Sequence, residues 1–305
     1  MLFLDKSMEE VSIKFLGTGN AVPTKLRNHT AILVTIGNEN ILVDCGEGTQ
    51  RQFRYANLSP TKITKLLVTH WHGDHILGIP GLLQTLAMSE YSKTLHIYGP
   101  KGTNYFMNLM SELFKDFKLN LKVEEITSTA KSFGQLQIES EEMLHDAATN
   151  AYAIILKDRV HLDKKKLKKY KLPNSPILKE LQNGRNIVFN GKTIKASSIT
   201  YREKGKKIAI ILDTGMTPNA IQIANNADVL ICEATFSKEE EAHAKEYRHL
   251  TAEQAATIAK KAKVKKLILT HISQRYEHNT KIIEKEAKKI FKNTSVVKDL
   301  DEIKV

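Results

Sequence analysis

Cysteine is nearly absent from this chain: of its 305 residues only Cys45 and Cys232 carry a thiol, far apart and with no CxxC partner. Neither a disulfide framework nor a cysteine zinc knuckle can be built from them, which excludes the small secreted scaffolds and leads to an expected cytoplasmic location. Long apolar runs are missing as well, and none approaches the roughly 18 to 20 residues that a membrane-spanning helix requires. The opening MLFLDKSMEE has too short an apolar patch for a signal segment, and acidic residues where a transit peptide would be basic. No internal repeat, low-complexity tract or Gly/Ser-rich linker divides the chain, so a single domain over residues 1–305 is expected, with no membrane partner. With 41% hydrophobic and 26% charged residues, disordered and fibrous classes are excluded and a sizeable core can form.

Acid is also in deficit. The 34 Asp and Glu against 46 Lys and Arg leave a formal charge of +12, which favours a polyanionic partner. Half of that excess lies between Lys157 and Lys171, where seven Lys and one Arg face two Asp. A Lys run is more often a solvated helix face than a binding surface, so its setting has to decide. From about Asp158 to Gly184 the strand rhythm of the chain lapses into Lys-rich, helix-like sequence followed by LPNSPILKELQNG, which reads as an insertion projecting from the core. Two further basic clusters, Arg202 to Lys207 and Lys260 to Lys266, read as solvated surface.

The rest alternates short Val- and Ile-rich runs with longer helical patterns, an α/β mixture from end to end. Strands are expected at Val11 to Leu16, Ala31 to Ile36, Asn40 to Val43, Lys65 to Thr69, Ala151 to Leu156, Lys207 to Leu212, Val229 to Cys232 and Lys266 to Thr270. Helices are expected at Leu77 to Ser89, Thr103 to Phe117, Ala252 to Lys261, capped by Thr251, and Thr280 to Phe291.

The strongest chemical signal is KLLVTHWHGDH, Lys65 to His75. The apolar run reads as a buried strand, and His70, His72, Asp74 and His75 follow just past its end. In extended chain, residues i and i+2 point the same way, so His70 and His72 can present both imidazoles to one ion. Asp74 and His75 fall where the chain turns back and can reach a second ion. A single His is usually a satisfied core or surface residue; three His and an Asp within six positions at a strand end are zinc-ligand chemistry. His145, Asp213 and His271 lie at the ends of later apolar segments and together complete the donor set that two metal ions require.

HWHGDH with the later His145, Asp213 and His271 resembles the metallo-β-lactamase-fold superfamily. Further blocks resemble the ribonuclease Z family within it: FLGTGNAVPTKLRN (Phe15 to Asn28), LVDCGEGTQRQ (Leu42 to Gln52), HGDHILGIPGLL (His72 to Leu83), CEATF (Cys232 to Phe236), HLTAEQA (His249 to Ala255) and LTHISQRY (Leu269 to Tyr276). The resemblance implies an αββα metallo-β-lactamase sandwich with a protruding basic arm. It implies two Zn²⁺ per subunit, one held by His70, His72 and His145, the other by Asp74, His75 and His271, with Asp213 as bridge and Asp44 orienting a ligand from behind. It also implies endonucleolytic removal of the 3′ trailer from precursor tRNA, with Asp74 as general base and Glu233 orienting His249 as proton donor. Lys25, Arg27 and Asn28 would lie near the tRNA 3′ end. The insertion 158–184 would be a tRNA-binding arm using Lys164, Lys165, Lys166, Lys168 and Lys169, and the family pattern implies a homodimer.

A nucleotide cofactor is not expected: the Gly17 to Asn20 loop resembles a dinucleotide fingerprint, but Val22 stands where a third Gly is needed and Pro23 where a helix would begin. The chain departs from the family at Asn174-Ser175-Pro176, where the arm often carries a Gly-Pro turn, at Cys232, where His is usual, and at Leu212, where Gly is frequent. A small-molecule phosphodiesterase or other hydrolase on the same fold is the alternative, and it would need no arm.

Overall fold

The computed structural model describes residues 10–305 apart from Asp116; the opening residues, read above as carrying no targeting segment, lie outside the described part up to residue 9. The chain first lays down β1 (Val11–Gly17), β2 (Ala31–Ile36), β3 (Glu39–Val43), β4 (Lys65–Leu67), β5 (Leu95–Gly99) and β6 (Leu121–Glu125). Each lies beside its predecessor, antiparallel as far as β3 and parallel from there to β6. A second sheet begins with the antiparallel strands β7 (Thr129–Phe133), β8 (Leu136–Glu142) and β9 (Asn150–Leu156). The chain then leaves the sheet for β10 (Arg159–Leu162), β11 (Ile187–Phe189), β12 (Lys192–Ile194) and β13 (Thr200–Glu203). It returns as β14 (Lys206–Ile211) antiparallel to β9, followed by β15 (Val229–Glu233), β16 (Lys266–Thr270) and β17 (Thr294–Val296) in parallel. Finally β18 (Glu302–Lys304) crosses back to pair with β1, so among the described residues each large sheet has seven strands.

Both faces of both sheets are apolar, and this dictates four layers. The inner faces meet through Ile13, Phe15, Ile32 and Val34 from the first sheet and Tyr152, Ile154, Ile208, Ile210 and Ile268 from the second. Their neighbours along the strands point outward, as the period of two requires. Leu33, Leu42, Leu66 and Ile97 are covered by Phe53 of α1 (Thr49–Tyr55), Leu82, Leu83 and Leu86 of α3 (Ile79–Met88) and Met107 of α4 (Thr103–Leu113). A single turn, α2 (Gly73–Ile76), precedes α3.

On the other side Ala151, Ala153, Ala209, Leu230 and Leu267 meet Ile223 of α8 (Pro218–Ala224), Ala255, Ala256 and Ala259 of α10 (Ala252–Lys261), which follows the short α9 (Glu241–Glu246), and Ile283 of α11 (Lys281–Ile290). Small residues on both partners let helix and sheet approach closely. Each fully buried Ile or Leu contributes about 1.5–3 kcal/mol to these layers. Thr251 caps α10 in a capping box with Gln254, as expected from its position. The helix expected to run to Phe117 stops at Leu113, because Lys115 takes the left-handed conformation (φ 55°) that ends a helix.

The excursion extends beyond residue 184. It carries α5 (Lys164–Lys169), α6 (Ile177–Gln182) and α7 (Ala196–Ile199), and β10 pairs with β13 as an antiparallel stalk. Leu181, Ile187, Ile194 and Ile199 form its own small core. At its base Asp158 Oδ1 accepts from Gly205 N at 2.8 Å, and a Cβ on Gly205 would sit 1.9 Å from Leu156 O, so only glycine fits where the chain re-enters the sheet. Pro176 stands at the N-terminus of α6; the departure from a Gly-Pro turn is absorbed as a helix start.

Candidate metal and catalytic site

The chemistry-bearing side chains gather where β4, β14, β15 and β16 end, the edge at which open α/β sheets receive ligands. Past Leu67 the chain turns instead of continuing as strand, since Thr69 N and Thr69 Oγ1 both donate to Asp44, each at 2.7 Å. This turn brings His70, His72, Asp74 and His75 onto one side. Asp213 follows β14 and His271 follows β16, and both, like Asp44, hold positive φ (23°, 56° and 57°). Such conformations cost energy and persist where the surroundings over-determine them. Nothing in the residue pattern signals them.

Two overlapping quartets result. His70, His72, His145 and Asp213 form one, and Asp74, His75, Asp213 and His271 the other, with the donor atoms of each within 4.8 Å of one another. Asp213 Oδ2 lies 3.5 Å from His70 Nε2 and 3.4 Å from His75 Nε2, while Asp213 Oδ1 is 3.1 Å from His271 Nε2. Asp74 Oδ2 is 3.3 Å from both His75 Nε2 and His271 Nε2. All seven residues of the predicted donor set are thus brought together.

The hydrogen-bond network fixes which imidazole nitrogen points inward. Thr69 gives its hydroxyl proton to Asp44, so its oxygen accepts from His70 Nδ1 at 3.1 Å. His75 Nδ1 donates to Asp44 Oδ2 at 2.6 Å. Thr235 gives its proton to Glu233 and accepts from His271 Nδ1 at 2.9 Å, and His145 Nδ1 faces Arg248 O at 3.3 Å. Four rings therefore turn Nε2 to the centre while Nδ1 is held from behind, the orientation and the outer partners that metal-ligating histidines use. His70 Nε2 and Asp213 Oδ1 are buried with no hydrogen-bond partner, an arrangement that costs about 1–3 kcal/mol per group and that a cation relieves. Burial, with His75 nearby, holds the His70 pKa well below its usual range, so that ring stays neutral. Burial opposes the charge of Asp213, but His271, His75 and His249 outweigh it and keep the group ionised. The donor chemistry fits a metal.

Beside this centre Glu233 is fully buried and accepts from Thr214 N at 2.7 Å and from Thr235 Oγ1 at 2.6 Å. Both its oxygens lie 3.1 Å from His249 Nδ1. Burial alone would lower the His249 pKa; the Glu233 and Asp213 carboxylates reverse this and raise it to about 9. The pair can hold a proton at neutral pH.

The loop residues expected at the substrate divide. Lys25 is exposed and Asn28 half-buried, and both line a cavity of about 540 Å³ together with Arg51, Gln52, Tyr55 and Asp299. Arg27, expected to face substrate, also lines this cavity, but its guanidinium turns inward: the residue is buried, and Nη1 donates to Thr18 Oγ1 at 2.6 Å and to Val297 O at 2.8 Å. Its charge ties the loop to the C-terminal segment, where local partners outcompete solvent for a guanidinium. A Cβ on Gly46 would sit 2.3 Å from His29 Cβ and 2.5 Å from Asp74 O, so this glycine lets the cavity wall and the metal-side turn pack back to back. The loop from Gly17 leads into β2 and not into a helix. Lys164, Lys165, Lys166, Lys168 and Lys169 stand exposed on α5 of the excursion, apart from the donor cluster.

The family model described as "Anti-Pycsar protein Apyc1" matches residues 11–296. A curated ribonuclease Z of Enterococcus faecalis is 38% identical over 97% of this chain and 97% of its own length. Among solved structures, human tRNase Z, short form, is 25% identical with a TM-score of 0.69, covering 96% of this chain and 98% of that one. The metallo-β-lactamase-fold protein YhfI from Bacillus subtilis is 19% identical with a TM-score of 0.72, over 97% of this chain and 100% of that one, a likeness of fold. By these matches, over nearly its whole length, the chain belongs both to the family that the Anti-Pycsar protein Apyc1 model describes and to the ribonuclease Z family, on a metallo-β-lactamase fold.

Proposed function

We propose that this chain is a zinc-dependent endoribonuclease that removes the 3′ trailer from precursor tRNA and leaves a 3′-hydroxyl on the tRNA. The observation that carries it is the shared carboxylate Asp213 between two donor quartets, with the Glu233–His249 pair alongside; the relatives named ribonuclease Z support the substrate. Two Zn²⁺ would be held, one by His70, His72 and His145, the other by Asp74, His75 and His271, with Asp213 common to both. The chemistry such a pair supplies is Lewis-acid polarisation of phosphoryl oxygens and activation of water near neutral pH.

The chain's own groups do the remainder. Asp74 stays ionised, because burial is outweighed by the charge of His75 and by hydrogen bonds from His271 and His75, and it accepts the proton of the attacking water. Glu233 fixes Nδ1 of His249, which leaves Nε2 to deliver a proton to the ribose 3′-oxygen, a leaving group too basic to depart unprotonated. Asp44 acts from behind the site. Asp44→Asn keeps the size and tolerates positive φ, but it places an amide NH₂ against donors from Thr69 or His75. Metal affinity should fall about 10–100-fold with the fold retained, as measured by chelator competition; unchanged affinity would show that Asp44 only closes a turn.

The exposed lysines of α5 would grip the tRNA body through its phosphates, a contact that reads shape and not sequence. Lys206 and Leu156 are register partners on adjacent antiparallel strands, so residues 157–205 can be replaced by an Asn-Gly hairpin turn without breaking the sheet. That variant should keep its metal and its hydrolysis of bis(p-nitrophenyl) phosphate. Its KM for precursor tRNA should rise, and the salt slope of log KM should fall by about 3–5, since each of five phosphate contacts contributes about 0.7–0.9. Full tRNA cleavage without the arm would show that the arm does not hold the substrate, and hydrolysis of the small phosphodiester with no cut in precursor tRNA by the intact protein would favour the small-molecule hydrolase. The direct assay incubates zinc-loaded protein with 3′-extended precursor tRNA and with an unrelated RNA hairpin; one endonucleolytic cut near the discriminator base, in the tRNA alone, is expected.

A homodimer, with one subunit's arm holding tRNA for the other's site, accords with the apolar stripe Tyr105, Phe106, Leu109 and Leu113 exposed along α4. Free, buried Cys45 and Cys232 accord with a cytoplasmic protein that uses no disulfide. Among the described residues no helix is long and apolar enough to cross a membrane.

A further inference from the structure

The cavity lined by Lys25 and Asn28 owes its shape to a residue from the far end of the chain. Asp299 follows β17 in the segment that crosses from the second sheet to the first, and it is one of the residues lining the cavity. Oδ1 accepts from Thr18 Oγ1 at 2.7 Å. Oδ2 accepts from Asn28 N at 2.6 Å and from Gln52 Nε2 at 3.0 Å. Asn28, in the loop beyond β1, and Gln52, in α1, line the cavity, and Thr18 sits behind it just past the end of β1.

The connection reaches the metal side in one further step. Thr18 O accepts from Ile272 N at 3.0 Å, and Ile272 follows His271. Arg27 Nη1 donates to Thr18 Oγ1, which in turn donates to Asp299, so guanidinium, hydroxyl and carboxylate form a polarised chain in which each bond strengthens the next. With its oxygens committed to protein donors, Asp299 acts on a substrate through the wall it holds.

We infer that Asp299 is a positioning residue: it holds the loop carrying Lys25 and Asn28 against α1, so that the cavity receives a single-stranded stretch of RNA at the 3′ side of the tRNA next to the donor cluster. This rests on the endoribonuclease function proposed above. The crossing segment does not depend on the carboxylate for its own place, because Phe15 N to Asp301 O (3.0 Å), Leu300 N to Phe15 O (2.7 Å) and the β1–β18 pairing anchor it independently. A purely structural acid would be felt equally in every kinetic constant; a wall-positioning acid is felt in KM.

The test compares wild type, Asp299→Ala and Asp299→Asn in steady-state cleavage of a 3′-extended precursor tRNA, with metal content and Tm measured on each protein. In Asp299→Ala, KM should rise about tenfold, the worth of one to two lost bonds to a charged acceptor, while kcat and metal content stay within about threefold. Asp299→Asn should recover most of the KM, since its single oxygen can still accept from Asn28 N and Gln52 while its amide donates to Thr18. If Asp299→Ala does not fold, the near-isosteric Thr18→Val, which cuts the link between Arg27 and Asp299, should raise KM in the same sense. Unchanged KM in the folded variants, or equal losses in kcat, KM and metal content, would overturn the inference. A wild-type protein that does not cut the precursor tRNA would overturn the proposed function instead, and the inference with it.

Discussion

Asp213→Ala is expected to abolish cleavage and to leave the purified protein nearly free of metal. Asp213 is the one carboxylate that both donor quartets share. Its oxygens stand 3.1 to 3.5 Å from the Nε2 atoms of His271, His75 and His70. Without it, converging imidazole lone pairs are left with Asp74 alone to balance a cation. The loss of affinity should exceed by a wide margin the ~10–100-fold that follows from disturbing an outer partner. The backbone at 213 has φ 23°, which alanine adopts at a cost of about 1–2 kcal/mol, so part of the effect could be conformational. Asp213→Asn separates the two contributions, because asparagine tolerates positive φ but brings no negative charge, and it too should lose metal and activity. Elemental analysis of each variant, alongside tRNA cleavage, reads the outcome. Full metal content with full turnover in either variant would mean that the two quartets do not act as one centre.

The second large effect belongs to His249. Replacing it with alanine should lower kcat for precursor tRNA by about 10²–10⁴-fold, the range of a positioned general acid, at unchanged metal content. The chemistry of the leaving group provides an internal control. A ribose 3′-oxygen needs a proton to depart, whereas p-nitrophenolate does not, so His249→Ala should lose far less activity toward bis(p-nitrophenyl) phosphate than toward RNA. Glu233→Gln, which leaves the ring in place but replaces with a neutral amide the carboxylate that raises its pKa to about 9, should give an intermediate loss. Equal losses on the two substrates would point to disturbed geometry and away from proton donation.

What could be read from the residues follows the distance over which the information is carried. The donor cluster was legible because four of its members sit within six positions at the end of one strand, and the others end strands of their own. The four-layer architecture was legible only through the family resemblance, because Ile208, Ala209, Ile210 and Ile211 read simply as an apolar strand and their alternation between two apolar environments appears only in the structure. The excursion was marked by its lysines, but from Ile187 onward it returns to the Ile- and Val-rich texture of the core, so its far boundary at Gly205 left no trace in composition. Arg27 shows the limit from the other side: a charged residue in a turn reads as exposed, and only the tertiary structure reveals Thr18 and Val297 waiting for it. The positive φ values at Asp44, Asp213 and His271 have no signature at all, since they are imposed by what surrounds them.

The return of β18 to the side of β1 has a consequence for timing. A chain emerges from the ribosome N-terminus first and its parts fold in that order, yet the first sheet cannot gain its outermost strand until residues 302–304 have been made. Until then β1 keeps an open edge, free to pair with other strands, and Asp299 has not arrived to shape the cavity wall. The cavity wall is therefore finished only once residues 299–304 have been made, well after the donor residues up to His271 have left the ribosome.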